Sequence, residues 1–178
     1  MTKKTLLRLF SCVLLLAIVF PVAGQGFRAN HWAFPSLNGL DFSAGNPTSY
    51  STAMTGDMGV SAISDEDGDL LFYRNGNKVW EAGGAIMSGG NNLVGDPQAT
   101  QSSLIVPATL SNTRYYLFVN DANTGPNGFQ YYDVEMTLNG GNGGVVGPTM
   151  LLDSTTEKMA ATRHGDDWGY WIVAHKWE

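Results

Sequence analysis

An all-β fold is predicted for this chain of 178 residues by three features of its sequence. Twenty-two glycines supply frequent turn positions, and the five Trp, seven Tyr and eight Phe are residue types that strands favour. No window of a dozen residues after Gln25 keeps the 3.6-residue apolar period of a helix that packs on a core. Short apolar runs bounded by turn residues take its place.

The first 24 residues are predicted to be a signal peptide. Their apolar run at 9–22 is followed by small residues at 22–24, which is typical of cleavage just before Gln25, and it is short for a membrane span. The basic residues at its start are Lys3, Lys4 and Arg8. The mature chain is therefore expected to be exported, either secreted or at the cell surface, without a transmembrane span.

Charge and cysteine content exclude several classes of function for the mature chain. Cys12 is the only cysteine and lies in the signal segment, so the mature chain has neither a disulfide nor a thiolate. Removal of that segment leaves 16 acidic and seven basic residues, a net charge of −9. Such a chain repels phosphate backbones, so no nucleic-acid partner is expected.

The first group of strands is predicted at 59–64, 69–73 and 78–81. The turns between them are "DEDG" and "NGN", and Asn-Gly readily takes the positive φ of a tight turn.

The second group contains four strands, predicted at 102–106, 114–120, 129–136 and 145–152. Its loops, "PATLSNT", "DANTGPNG" and "TLNGGNGG", are too short for parallel crossovers. The four strands are therefore expected to form one antiparallel meander.

A third group begins at 158–163 and continues at 170–175, and it repeats the cadence of the second group. "SSLIVP" at 102 aligns with "KMAATR" at 158, and "YYLFVND" at 115 aligns with "YWIVAHK" at 170. Four strands recurring about every 45–55 residues are typical of β-propeller blades. A β-sandwich is the alternative, because strand spacing alone does not separate the two folds.

The predicted organisation has three parts. Residues 1–24 are the signal peptide, 25–56 an N-terminal segment that leads into the repeats, and 57–178 two propeller-like blades with the start of a third. The last strand, "YWIVAHKW", then has an unpaired edge, so a fragment of this kind is expected to self-associate.

Five ordered blocks carry a resemblance to a known family. They are "NHWAFPSLNGLDFSAGNPT" from 30, "SAISDEDGDLLFYRNGNKVWE" from 61, "TQSSLIVP" from 100, "YYDVEMTLNGGNGGV" from 131 and "EKMAATRHGDDWGYWIVAHKW" from 157. Together they cover nearly all of the mature chain, which resembles the N-terminal propeller-like region of large exported surface proteins of the Bacteroidetes. Many of those proteins carry PKD-type modules and a C-terminal gliding-motility-associated or type IX secretion sorting domain.

The resemblance implies an exported surface or adhesion protein with no catalytic residues to transfer. Proteins of that family continue past the "HKW" position with further blades, whereas this sequence stops at Glu178. The chain is therefore expected to be the N-terminal fragment of a larger protein.

Carboxylates at alternate positions make Asp65, Asp67 and Asp69 the best candidates for calcium ligands. The spacing departs from an EF-hand loop, because Gly68 is in the fourth position and Gly76 in the twelfth. A hairpin turn shaped by Asp and Gly is the alternative interpretation. Apart from this possible calcium site, no cofactor is expected.

The sequence gives little indication of a zinc site, a serine nucleophile or a glycosidase carboxylate pair. His31, His164 and His175 are too scattered for the spacing of a zinc site. No serine lies in a nucleophile-elbow context. Asp41, Asp121, Glu157 and Asp166 are glycosidase candidates only by residue type, because their separations are unknown. The chain is therefore predicted not to be an enzyme.

Trp80, Trp168 and Trp177 are candidates for stacking on a ligand. Alternation along strands exposes some aromatic residues, although core packing is the competing interpretation. The predicted function is a surface, adhesion or interaction module that binds a surface protein or glycan. A carbohydrate-binding or carbohydrate-active domain is the alternative.

Overall fold

The all-β class is confirmed by a computed structural model that describes residues 26–56, 58–122, 125–166 and 168–176. The described residues form thirteen strands and two short 3-10 helices, at Phe27–Ala29 and Asn139–Gly141. None of these helices is long and apolar enough to cross a membrane.

The N-terminal sheet contains three antiparallel strands, β1 (His31–Phe34), β2 (Asn38–Asp41) and β3 (Thr48–Ser51). Side chains alternate across a strand, so Ala33 faces the core while Trp32 and Phe34 are exposed on the other face. The sequence did not predict these strands, because β2 and β3 have few apolar residues to mark them.

The central sheet has eight strands in two antiparallel meanders. The first consists of β4 (Ser61–Ser64), β5 (Leu70–Arg74), β6 (Lys78–Glu81) and β7 (Ile86–Asn91), and the second of β8 (Ser103–Pro107), β9 (Arg114–Asn120), β10 (Phe129–Glu135) and β11 (Gly144–Leu152). A parallel bridge between Ser88 and Gly144 joins β7 to β11. At the opposite edge, the Oγ atoms of Ser61 and Ser103 lie 2.8 Å apart, so the two meanders face one another.

The last sheet is a hairpin of β12 (Met159–Arg163) and β13 (Tyr170–Ala174). Both strands begin or end within one residue of the predicted bounds.

Three apolar cores hold the sheets in a stack. The central core lies between the two meanders and includes Phe72 and Tyr115, whose rings meet edge to face at 5.7 Å. A second core joins Ala33 of the N-terminal sheet to Tyr73 and Trp80 of the first meander. A third joins the second meander to Met159 of the hairpin. The order is therefore N-terminal sheet, first meander, second meander and hairpin.

Arg74 is the largest fully buried side chain among the described residues. Its Nε donates a hydrogen bond to the carbonyl of Asn75 at 2.5 Å, and its Nη2 donates another to the carbonyl of Gly76. Burial lowers the pKa of Arg74 to about 9. The Arg74 side chain therefore holds the backbone of the turn after β5 through these two carbonyl groups.

Candidate functional site

The first strand of each sheet or meander contributes to one open groove. β1, β4, β8 and β12 line it together with the N-terminal 3-10 helix and the loop at 107–112. The groove has a volume of about 1560 Å³, which is large enough for an extended ligand.

Exposed aromatic side chains are the main chemical feature of this groove. Phe27, Trp32, Phe34 and Trp168 all line it, and Trp168 is 65% exposed. The alternation of β1 turns Trp32 and Phe34 away from the core. The turn between β12 and β13 presents Trp168, whose backbone N–H donates to Asp166 Oδ1 at 3.0 Å. Such rings offer flat apolar surfaces for stacking.

Arg28 attaches the N-terminal helix to the groove wall. Its Nη1 donates to the hydroxyl of Tyr115 at 2.8 Å, and its Nη2 contacts Glu66 Oε1 at 2.8 Å. Burial raises the pKa of the Tyr115 hydroxyl, which keeps it neutral, while the Arg28 hydrogen bond opposes that rise. The guanidinium of Arg28 is therefore already paired with the Tyr115 hydroxyl and the Glu66 carboxylate in the groove wall.

Replacement of Arg28 by methionine is expected to lower the free energy of unfolding by about 1–2 kcal/mol, because the hydroxyl of the buried Tyr115 loses a charged donor. Glu66→Gln, at the exposed end of the same contact, is the control and should cost less than about 1 kcal/mol. Urea unfolding of both variants measures the difference. Equal costs would contradict an anchoring role for the Tyr115 contact.

His31 lies at the groove in a local hydrogen-bonding network. Its Nδ1 is 3.0 Å from Ser64 Oγ, and its Nε2 is 3.6 Å from Asp41 Oδ1. Hydrogen bonds from Ser43 lower the pKa of Asp41, so its carboxylate stays ionised beside the imidazole. This arrangement joins β1, β2 and β4.

The three calcium candidates lie in the turn between β4 and β5. Asp65 Oδ1 accepts hydrogen bonds from the backbone N–H groups of Asp67 at 3.0 Å and Asp69 at 2.9 Å. Gly68 supplies the positive φ of 99° that closes the turn. One oxygen of Asp65 therefore shapes the hairpin, and calcium binding there stays a prediction.

The four glycosidase candidates lie in separate local structures. Asp41, on β2, contacts His31 of β1. Asp121, in the loop after β9, accepts hydrogen bonds from Asn127. Glu157 accepts from Thr100, while Asp166 contacts His164 Nδ1 at 2.5 Å. A hydrogen bond from the backbone of Trp168 lowers the pKa of Asp166.

The three histidines lie in different parts of the stack as well. His31 contacts the N-terminal sheet and β4, His164 begins the β12–β13 turn, and His175 accepts a backbone hydrogen bond from Thr156 through its carbonyl. Within the ranges that the structure describes, no three His, Cys, Asp or Glu residues are grouped as metal ligands.

The tryptophan candidates have different surroundings. Trp168 is exposed at the groove, as stacking requires. Trp80 is only 4% exposed and stacks on Tyr73 at 5.8 Å, so it belongs to the core between the N-terminal sheet and the first meander. Trp177 lies outside the described residues.

Several groove residues were not predicted from the sequence. Phe27 and Phe34 went unnoticed because no strand was predicted within residues 25–56. Trp32 was one of the five tryptophans weighed for stacking, but it was not among the candidates chosen. The period-2 alternation of "HWAF" was the available signal for Trp32 and Phe34. The Arg28–Glu66 contact joins residues 38 positions apart, and no local pattern indicates it.

Comparisons of the chain with protein-family models, curated protein sequences and solved structures find no match.

Proposed function

We propose that this chain is an exported, non-catalytic binding module that takes a surface protein or glycan into the groove between its inner strands. The observation that carries the proposal is the set of exposed aromatic side chains along this groove, with Trp168 at one wall and Trp32 at another. The candidate carboxylates lie in separate turns, each engaged by its own neighbours. Binding by shape and stacking fits this arrangement better than acid–base chemistry does.

The proposed architecture is a partial propeller. Two facing four-stranded meanders are common to neighbouring blades and to a sandwich, but a two-layer sandwich has no further sheets on its outer faces. Here the N-terminal sheet covers one outer face and the hairpin begins to cover the other. The first strands of successive sheets line a shared groove, which is where the innermost strands of propeller blades lie.

A carbohydrate ligand is the more specific candidate. Trp168 and Trp32 offer rings for stacking on sugar faces, and hydroxyl and amide groups at Ser111, Asn112 and Thr162 lie along the same groove for hydrogen bonding. Arg28 is already paired with Glu66, so its charge is not left for an acidic group of the ligand. These features favour a neutral glycan over a strongly charged one.

Trp168→Ala is expected to weaken glycan binding at least about tenfold, since loss of an aromatic ring that dominates a binding site costs about 2 kcal/mol or more. Trp171→Ala is the matched control, because Trp171 is 60% exposed in the same hairpin but does not line the groove. Affinity electrophoresis in gels that contain neutral polysaccharides measures both variants. Equal retardation of Trp168→Ala and the parent protein would count against the groove as the binding site.

Export is tested by expression of the full chain in a bacterial host. The extracytoplasmic fraction is expected to contain a protein whose first residue is Gln25, because the small residues at 22–24 match the preference of signal peptidase. Intact-mass measurement and N-terminal peptide mapping give the cleavage site. Retention in the cytoplasm with Met1 intact would overturn the export proposal without bearing on the groove.

A further inference from the structure

Arg74 is a buried cation with an unused donor group. The residue has no exposed surface, and it follows Phe72 at alternate spacing on β5, so both side chains lie on the face that packs against the second meander. Its Nε and Nη2 atoms donate to backbone carbonyls, whereas its Nη1 atom has no hydrogen-bond partner among the described residues. An arginine side chain has only N–H donors, so only an acceptor completes its hydrogen bonding.

A second unused donor is the hydroxyl of Tyr132, on β10. This residue is 5% exposed, and its hydroxyl oxygen accepts the backbone N–H of Val94 at 3.0 Å. Within the described ranges, no acceptor takes the proton of that hydroxyl. The residue after Val94 is Gly95, which lies against Arg74, because a methyl group added to it would be 3.3 Å from Nη2. Residues 94–95 therefore contact both side chains and bring the two donors to one site.

The charges around this site leave an excess of positive charge. Burial lowers the pKa of Arg74 to about 9, so its guanidinium stays protonated at neutral pH. Burial raises the pKa of Tyr132, so its hydroxyl stays uncharged, although the Val94 N–H and the charge of Arg74 oppose that rise. No carboxylate of the described residues forms an ion pair with Arg74. A buried charge without a counter-charge is unfavourable, because the interior solvates it poorly.

We propose that a halide ion, such as chloride, binds between Nη1 of Arg74 and the hydroxyl of Tyr132. A halide accepts hydrogen bonds from several donors and supplies the missing negative charge. Water fits the site less well, because it needs acceptors for its own protons. Arg74 offers none, and the oxygen of Tyr132 already accepts from Val94. The burial of both side chains leaves a larger anionic ligand no surface by which to enter.

The ion joins parts of the chain that are distant in sequence. Arg74 belongs to the first meander, Tyr132 to the second, and residues 94–95 to the connection between them. Because only the folded chain assembles these donors, the ion binds the folded state, and stability rises with its concentration. Neither Arg74 nor Tyr132 lines the groove, so the halide site is independent of the proposed function.

Thermal unfolding in chloride and in gluconate, at the same ionic strength, tests this site. Gluconate is too large for a site that the protein encloses. The Tm of the parent protein is expected to be about 3–6 °C higher when chloride exceeds its dissociation constant about tenfold, and to keep rising with the logarithm of the chloride concentration. Arg74→Met should abolish this response, because it removes both the donor and the charge.

Two tyrosine variants give a matched comparison. Tyr132→Phe is expected to weaken chloride affinity about tenfold or more, since a hydrogen bond to an ion is lost. Tyr73→Phe is the control, because Tyr73 is 1% exposed and its hydroxyl accepts the Ala53 N–H at 2.8 Å, but it faces the N-terminal sheet. Each variant loses a buried hydroxyl that accepts a backbone N–H, so only the position differs. This comparison decides the question even where Arg74→Met does not fold.

The proposal is overturned by equal Tm values of the parent protein in chloride and gluconate, or by equal chloride responses of the two tyrosine variants. A crystal soaked in bromide is expected to give an anomalous peak beside Nη1 of Arg74, and water in that position would contradict the assignment. Asp57 lies outside the described residues. A chloride response that appears only in Asp57→Asn would assign the counter-charge to that carboxylate and would also overturn the proposal.

Discussion

Phe72→Ala is expected to lower the free energy of unfolding by about 3–5 kcal/mol, the range for removal of a fully buried phenylalanine. Phe72 has no exposed surface and lies on β5, where its ring meets that of Tyr115 from the other meander. The substitution removes apolar surface and leaves a cavity between two sheets that face one another. A loss of this size is a large part of the stability of a typical domain.

Chemical denaturation gives the measurement, provided that the slope of free energy with denaturant stays unchanged. Phe27→Ala is the control, because Phe27 is 63% exposed and its removal should change stability by no more than about 0.5 kcal/mol. Similar losses in the two variants would show that the meanders do not depend on a shared core. The face-to-face arrangement of the central sheet would then be wrong.

Gly89→Ala is expected to cause the second largest loss in the free energy of unfolding, after Phe72→Ala. Gly89 has a φ of 72°, which costs an alanine about 1–2 kcal/mol. A methyl group there would also lie 2.3 Å from the carbonyl oxygen of Val145. Relief of that overlap moves β7 away from β11, at a further cost of about 1–3 kcal/mol. The bridge from Ser88 to Gly144 is next to this contact, so the join between the meanders weakens.

Gly140→Ala separates the two contributions. Gly140 has nearly the same φ, 70°, but a methyl group there meets no atom within 4 Å. This variant should lose only the conformational contribution, and the difference between the two variants measures the contact with Val145. Thermal unfolding of both proteins is sufficient. A difference near zero would mean that β7 and β11 are not held at the distance described.

The groove depends on the same stacking of sheets that forms the three cores. Each sheet contributes its first strand to the groove and its faces to the neighbouring layers. A substitution that separates the sheets therefore also disturbs the groove, whereas Trp168→Ala changes the surface of the groove itself.

The amino-acid sequence by itself determined the all-β class and most of the strands in residues 59–174. β6 and β9 begin and end where they were predicted, and β8, β10 and β11 differ by one residue at their ends. These strands carry dense aromatic and β-branched residues between clear turn signals. Local chemistry specifies such segments, because period-2 alternation and turn geometry act over only a few residues.

Only the tertiary structure decided the remaining strands and the candidate site. β7, with two glycines, is a strand because β6 and β11 pair with it. β2 is a strand because it pairs with β1 on one side and β3 on the other, and β3 is a strand because it pairs with β2. Trp80 is buried because the N-terminal sheet packs against the first meander, whereas Trp168 stays exposed at the groove. The sequence shows that alternate side chains of a strand lie on opposite faces of its sheet. Which face becomes buried depends on the sheets that pack against it.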